Sequence, residues 1–211
     1  MKTTLLSIFI FLALLSPGTS LICLTCSSFG RSFCEANKEK QCTEKDTCIS
    51  TVMSSTIYNG PRELAQNRCF RSNWCYPASF SFTSENNMYF AEHIDCCQTD
   101  RCNPKSPELP PRELNGLQCP ACYDRNKNNC TGTETVNCYD DETRCIDFVG
   151  SLFEPRIRKM QLDFQGCATQ DFCNFAEGKT RQVNDFLKIE TKKTQCSAAN
   201  EAPISPDLQA N

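Results

Sequence analysis

Two pairs of cysteines have the spacing at which thiol groups bind zinc or act in redox chemistry. Cys23 and Cys26 form the first Cys-x-x-Cys pair, and Cys119 and Cys122 form the second, 96 residues further along the chain. Thiolates at this spacing can share one tetrahedral zinc ion or cycle between dithiol and disulfide. Each pair is followed by a further series of cysteines, so structural disulfides are the competing interpretation.

The sequence offers little for hydrolytic chemistry. It contains a single histidine, His93, and no serine or cysteine nucleophile motif surrounds it. A Ser–His or Cys–His mechanism needs a base within hydrogen-bond reach of its nucleophile. We therefore expect no enzymatic activity, no metal and no cofactor, and we interpret His93 as an ordinary strand residue. Chemistry based on carboxylates alone is the alternative that the sequence leaves open.

The first twenty residues are typical of a secretory signal peptide. Lys2 gives a basic start, Leu5 to Leu15 is an apolar run, and Ser16 to Ser20 contains small residues suited to cleavage. All 18 cysteines lie after this segment, and such a density favours an oxidising, extracellular location. We expect a secreted protein whose Cys-x-x-Cys pairs are disulfide-bonded.

Charge and hydropathy exclude several classes of partner. The formal net charge of −3 offers no general attraction to nucleic acid or anionic lipid. No apolar stretch after the signal segment approaches the roughly 20 residues that a membrane helix needs. The C-terminal tail, residues 197–211, is polar and lacks the hydrophobic end of a lipid-anchor signal. We therefore expect a released protein without a membrane anchor.

The cysteine spacing repeats once along the chain. Successive intervals from Cys23 begin 3, 8, 8, 6, 21, 6 and 21, and those from Cys119 are 3, 8, 8, 7, 22, 6 and 23. Such self-similarity indicates tandem copies of one unit. We predict one domain over residues 21–103 and a second over residues 119–196, each small enough to need disulfides beside its core.

The segment between the two predicted domains, residues 104–118, contains four prolines. Proline fixes φ and favours extended geometry. We predict a semi-rigid linker that permits several angles between the domains and is not a packed element.

Both copies contain segments that are typical of β-hairpins. Phe80 to Thr83 alternates apolar and polar residues, Glu85 to Asn87 is a turn signal, and Met88 to Ile94 resumes an extended run. In the second copy, Glu154 to Arg156 is a comparable turn signal. The prediction is an all-β fold with about three hairpins per domain. Only Val183 to Ile189 has a spacing that also suits a helical turn.

The cysteine framework resembles that of the Ly-6/urokinase-receptor (uPAR) family of three-finger domains. The residues that carry the resemblance open and close the first copy: Leu21, Cys23, Cys26, Cys96, Cys97, Cys102 and Asn103. The second copy departs from the pattern, because Ser197 follows Cys196 where the family has another cysteine, and no later cysteine appears. The resemblance implies a disulfide-rich protein of two tandem three-finger, snake-toxin-like domains, the second without its last disulfide.

The resemblance also implies a pairing of the cysteines, which spacing alone does not fix. The implied pairs of the first domain are Cys23–Cys48, Cys26–Cys34, Cys42–Cys69, Cys75–Cys96 and Cys97–Cys102. Those of the second domain are Cys119–Cys145, Cys122–Cys130, Cys138–Cys167 and Cys173–Cys196.

Within this family, a secreted chain of two such domains is similar to the gamma-type phospholipase A2 inhibitors. The similarity is carried by residues 115–122, Asn-Gly-Leu-Gln-Cys-Pro-Ala-Cys, and by Gly166 to Thr169. It implies a non-enzymatic protein that occludes a secreted phospholipase A2. Two alternatives stay open: a ligand or modulator of a cell-surface receptor with an adhesion or fertility role, and a self-associating structural glycoprotein.

Four residues are candidates for contact with a partner. Phe80, Phe82 and Tyr89 lie in the aromatic third hairpin of the first copy, and exposed apolar patches often mark binding sites. Arg156 lies in a basic turn of the second copy and would meet an acidic partner. The competing interpretations are that the aromatic side chains pack against their own or the second domain, and that the basic turn is a solvated hairpin tip.

One Asn-x-Ser/Thr sequon is present, at Asn129-Cys130-Thr131. It makes Asn129 a candidate for N-glycosylation in a secreted protein. Because Cys130 is an implied disulfide partner, an unmodified loop is the competing interpretation.

Overall fold

Strands account for nearly all of the regular structure in this chain. The computed structural model describes residues 20–57, 62–124, 130, 132, 134–154, 157–182 and 187–202. Nearly all of the predicted signal peptide, the end of the tail, Asn129 and Arg156 lie outside these ranges. Those four assignments therefore stay predictions.

In the first half of the chain, residues 20–57 and 62–103 form six strands. They are β1 (Ile22–Phe29), β2 (Lys38–Gln41), β3 (Asp46–Ser55), β4 (Arg62–Arg71), β5 (Ala78–Ser84) and β6 (Met88–Cys97). Single 3-10 turns lie at Ser72–Trp74 and Glu85–Asn87. The predicted turn between β5 and β6 is confirmed: Asn86 and Asn87 have φ values of 56° and 55°, and asparagine tolerates this left-handed region.

The described residues of the second half add seven strands and one short helix. The strands are β7 (Leu114–Asp124), β8 (Glu134–Tyr139), β9 (Arg144–Glu154), β10 (Ile157–Ala168), β11 (Thr180–Gln182), β12 (Lys188–Ala198) and β13 (Asn200–Glu201). The helix, α1, spans Gln170–Cys173. Among the described residues there is no helix with the length and apolar character to span a membrane.

One local prediction differs from the structure. Leu114 already begins β7, so the last residues of the predicted linker are paired strand. In the segment whose spacing also suits a helical turn, Lys188 and Ile189 belong to β12, and residues 183–186 lie outside the described residues. Strand pairing along a whole hairpin outweighs such a short local preference.

The two halves share one continuous sheet. Its main path runs β11-β12-β9-β10-β5-β6-β3-β4-β1-β2, and β7 packs beside β10 with β8 and β13 paired to it. The halves meet where β10 pairs antiparallel with β5, with Gly166 opposite Ser84, Cys167 opposite Thr83 and Ala168 opposite Phe82. The composition of the linker leaves the angle between the domains open, and in this structure main-chain pairing sets one arrangement.

An aromatic core lies at this junction. Phe82 is 2% exposed, and its ring stacks on Phe164 with centroids 4.1 Å apart and meets Phe172 edge-on at 5.3 Å. Phe80 is 1% exposed and packs edge-on against Phe175 at 5.1 Å. The prediction that Phe80 and Phe82 contact a partner is therefore corrected. Both rings pack against the second domain, which is the competing interpretation.

All 18 cysteines are joined in disulfides, and the pairs are those that the family resemblance implies. The first domain contains Cys23–Cys48, Cys26–Cys34, Cys42–Cys69, Cys75–Cys96 and Cys97–Cys102. The second contains Cys119–Cys145, Cys122–Cys130, Cys138–Cys167 and Cys173–Cys196. Two clusters of three sulfur atoms, one per domain, have the closeness of a metal site. Their sulfurs are bonded to other sulfurs, whereas zinc needs thiolates.

Candidate functional site

The proline-rich segment from Asn103 to Glu113, called the strap here, is fastened at both ends. Asn103 is buried, and its side-chain amide bonds main-chain groups of β1 at 2.9 Å. Lys105 forms a β-bridge with Glu35. At the far end, the main-chain N–H of Glu113 donates to Asp140 Oδ1 at 3.0 Å. The strap therefore runs from a fixed point on the first domain to a fixed point on the second.

Arg112 ties the strap to both domains at once. Its guanidinium lies between the rings of Tyr89 and Tyr139, 4.0 Å and 4.2 Å from their centroids. It also donates a hydrogen bond to Thr83 Oγ1 at 3.0 Å. Tyr89 belongs to the first domain and Tyr139 to the second, so one cation bridges the junction by stacking on an aromatic ring from each side.

A groove of about 710 Å³ lies between the strap and one face of the first domain's sheet, a size typical of ligand sites. Its apolar lining comes from Phe33, Tyr89, Ala91, Pro107, Leu109 and Pro110. Phe80 also borders the groove, but it is only 1% exposed. Its carboxyl groups belong to Glu35, Glu63, Glu92, Glu108, Asp140 and Asp141, and its basic groups to Lys105 and Arg112. The groove needs the strap and both domains, since each supplies part of the wall.

Strand alternation explains which aromatic residues reach the groove. Ser81 is paired with Ala91 and lies on the groove side, whereas Phe82, paired with Phe90, points to the core. Tyr89 lines the groove, and its hydroxyl hydrogen-bonds with Ser54 Oγ at 2.8 Å. Of the three aromatic partner candidates, Tyr89 is therefore the one that a partner can touch.

The other residues singled out in the sequence lie apart from the groove. His93, on β6, has its Nε2 3.4 Å from a carboxylate oxygen of Asp95. Lys159, near the start of β10 and three residues after Arg156, forms an ion pair with Glu190 at 2.9 Å. That contact neutralises part of the positive charge expected to attract an acidic partner.

A buried carboxyl group forms hydrogen bonds across the domain junction beside the groove. Glu142 follows β8 in the second domain, and its Oε1 accepts hydrogen bonds from the hydroxyls of Ser81 and Thr83 on β5, both at 2.9 Å. Burial raises the pKa of Glu142 from 4.5 to about 7, although these hydroxyls and nearby Arg112 act to lower it. The sequence carries no motif that marks either Glu142 or Arg112 as a junction residue.

Replacing Glu142 with glutamine is expected to reduce the pH dependence of stability. A carboxyl group whose pKa is raised by folding binds its proton more tightly in the folded state. Its contribution is therefore full below pH 4.5 and is lost as the pH rises through about 7, a loss of about 3 kcal/mol at most. Glutamine stays neutral and keeps an oxygen acceptor for Ser81 and Thr83.

Urea unfolding at about pH 5 and about pH 8 measures this linkage. The wild-type protein should lose more stability over this range than Glu142→Gln. Glu134→Gln, which makes the same change at an exposed carboxyl group of β8, is the control. Its stability should depend on pH as that of the wild-type protein does. An equal dependence of stability on pH in all three proteins would contradict the raised pKa of Glu142.

Comparison with known proteins places both halves of the chain in one family. The sequence profile of the u-PAR/Ly-6 domain matches twice, at residues 19–105 and 115–202. The phospholipase A2 inhibitor LNF1 of Lachesis muta muta is 26% identical over 192 residues, covering 90% of this chain and 94% of its own. The phospholipase A2 inhibitor NAI of Notechis ater is 25% identical over 196 residues, covering 88% and 92%.

One solved structure, that of mouse TEX101, is 17% identical with a TM-score of 0.36, covering 84% of this chain and 98% of its own. The u-PAR/Ly-6 profile matches each half of the chain over nearly its full length. With its two matched segments, its nine disulfides and its strand-rich fold, this protein belongs to the u-PAR/Ly-6 domain family.

Proposed function

We propose that this protein is a secreted, non-enzymatic inhibitor that binds a secreted phospholipase A2 and covers its active face. The observation that carries the proposal is the groove at the domain junction, which needs both domains and the strap. Relatives named as phospholipase A2 inhibitors match along both domains, over 90% of this chain in the case of LNF1.

Rigidity of the binding surface supports inhibition by occlusion. Main-chain pairing between β5 and β10 holds the domains together, and disulfides hold each domain internally. A surface ordered before binding loses little conformational entropy when it meets its partner. Occlusion of this kind requires shape and contact area, and it requires no catalytic group on the inhibitor.

Secretion is part of the proposal and is supported by two features of the chain. The first is the signal-peptide pattern of residues 1–20. The second is the complete use of 18 cysteines in disulfides, which persist in oxidising compartments. Amino-terminal sequencing of the protein from culture medium would test the cleavage site after Ser20.

Titration of the oxidised protein into a panel of secreted phospholipase A2 enzymes tests inhibition directly. We expect saturable binding together with loss of hydrolysis. Phe33→Ala should weaken binding by about tenfold, because Phe33 lines the groove and is 58% exposed. Tyr76→Ala is the matched control, since Tyr76 is 59% exposed and does not line the groove.

The outcomes of this titration separate the candidate functions. Absence of binding across the panel would overturn the proposal and direct the search to cell-surface receptors. Equal weakening by Phe33→Ala and Tyr76→Ala would retain inhibition but remove the groove as its site. A molecular mass that rises with concentration in size-exclusion chromatography would favour the self-associating alternative.

A further inference from the structure

We propose that the groove binds an extended segment of the partner that carries basic side chains between apolar ones. The inference rests on the proposed function for its partner and adds the chemistry that the partner presents. It is carried by the charges at the groove rim, the apolar lining between them and the main-chain groups of the strap.

The groove rim is acidic once the residues whose charged groups already contact other groups of this protein are set aside. Glu92 borders the groove, but it is paired with Phe80 on the core face of the sheet, and its carboxylate accepts a hydrogen bond from Thr51 at 2.9 Å. Arg112 is held between Tyr89 and Tyr139. Asp140 accepts a hydrogen bond from the main-chain N–H of Glu113 at 3.0 Å. The remaining charged groups of the lining are Glu35, Glu63, Glu108, Asp141 and Lys105.

Four carboxylates therefore face one lysine around this rim. Concave surfaces lined by one sign of charge focus the electrostatic potential and attract the opposite charge. Glu35 and Glu108 are exposed and lie on the first domain and the strap, so they can reach a ligand from two sides. Lysine or arginine side chains of a partner would form ion pairs with these two carboxylates.

The wall formed by the strap strengthens this preference. Pro107 and Pro110 have no main-chain N–H, so at these two positions the backbone offers only carbonyl acceptors. Lysine and arginine carry several donors and no acceptor. The apolar lining from Phe33 and Leu109 would contact the hydrocarbon parts of the segment. A purely polar cation would leave this surface unused.

Charge reversal at the rim tests the inference. The double variant Glu35→Lys/Glu108→Lys should slow association with a phospholipase A2 by about tenfold and reduce its dependence on salt. The control is Glu44→Lys/Glu134→Lys, which makes the same change in net charge at two exposed carboxylates outside the groove. Equal effects of the two double variants would overturn the inference.

Two synthetic peptides test the groove without any phospholipase. Fluorescein-labelled Leu-Arg-Leu-Arg-Leu should bind the wild-type protein and the control variant, as followed by fluorescence anisotropy, and should bind the groove variant about tenfold more weakly. Leu-Glu-Leu-Glu-Leu should bind none of them. Equal binding of the two peptides to the wild-type protein, or binding of neither, would overturn the inference.

The phospholipase experiment and the peptide experiment can fail independently. Selective binding of the arginine peptide without binding of any phospholipase would remove the proposed function and leave the groove preference standing. Inhibition that is equally sensitive to both double variants, with no peptide selectivity, would leave the proposed function standing and remove the groove preference.

Discussion

Replacing Phe82 with alanine is expected to lower the free energy of unfolding by about 3–5 kcal/mol. The ring is 2% exposed and stacks on Phe164 of the second domain at 4.1 Å and on Phe90 of its own domain at 6.2 Å. Alanine would remove this apolar surface and leave a cavity at the point where the domains meet. Because rings from both domains line that cavity, local collapse cannot fill it without moving one domain.

Chemical denaturation of the oxidised protein measures the effect of Phe82→Ala. Phe33→Ala is the matched control, because it removes a phenylalanine ring that is 58% exposed. The control should cost less than about 1 kcal/mol, as surface changes usually do. A Phe82 variant as stable as the Phe33 variant would contradict the assignment of Phe82 to the junction core.

Replacing Gly166 with alanine is expected to destabilise the domain junction, where β10 pairs with β5. A Cβ atom at this position would lie 2.1 Å from the carbonyl oxygen of Thr83 and 3.1 Å from the Cα of Ser84. Both are main-chain atoms, so no side-chain rotation relieves the clash. Overpacking of this kind costs about 3 kcal/mol, and here the strain falls on the pairing of β10 with β5.

Chemical denaturation measures the result of this substitution. We expect Gly166→Ala to lower the free energy of unfolding by about 3 kcal/mol and to weaken inhibition, since the groove needs both domains. Gly178→Ala is the control, because Gly178 has a φ of +70° with no atom within 4 Å of an added Cβ. It should cost about 1 kcal/mol through backbone strain and leave inhibition unchanged. A Gly166→Ala variant as stable as Gly178→Ala would contradict the junction as described.

The fold could be predicted from the sequence because its cysteines form a spaced framework. Their intervals indicate two copies, and the ending Cys96-Cys97, Cys102 and Asn103 identifies the family. Asn103 also has a visible structural purpose, since it fastens the end of the first domain to β1. Local alternation was enough to predict the hairpin of β5 and β6, because each strand pairs with its nearest neighbour in the chain.

The junction could not be predicted in the same way, because its two strands are distant in sequence. Alternation around Phe80 and Phe82 indicates one buried face, but it does not identify what covers that face. The segment Gly166 to Thr169 was recognised only as a family resemblance. In the structure Cys167 and Ala168 pair with β5, and the hydroxyl of Thr169 donates to the carbonyl of Ser79 at 3.1 Å.

The candidate site was missed for a related physical reason. A proline-rich segment indicates an extended chain, yet composition does not show which residues fasten it. Arg112 stacks on Tyr89 and Tyr139, which come from different domains. Such a contact depends on the domain arrangement, so no local pattern in the sequence predicts it.

The pairing of β5 with β10 also sets an order of events during synthesis. Gly166 follows its partner Ser84 by 82 residues, which corresponds to roughly 4–16 s of translation at about 5–20 residues per second. Throughout that interval the first domain has an open strand edge next to the uncovered ring of Phe82. Open edges pair readily with strands of other chains. Crowded nascent chains would therefore exchange second domains. Slower translation of the segment between β5 and β10 should increase the yield of domain-swapped dimers.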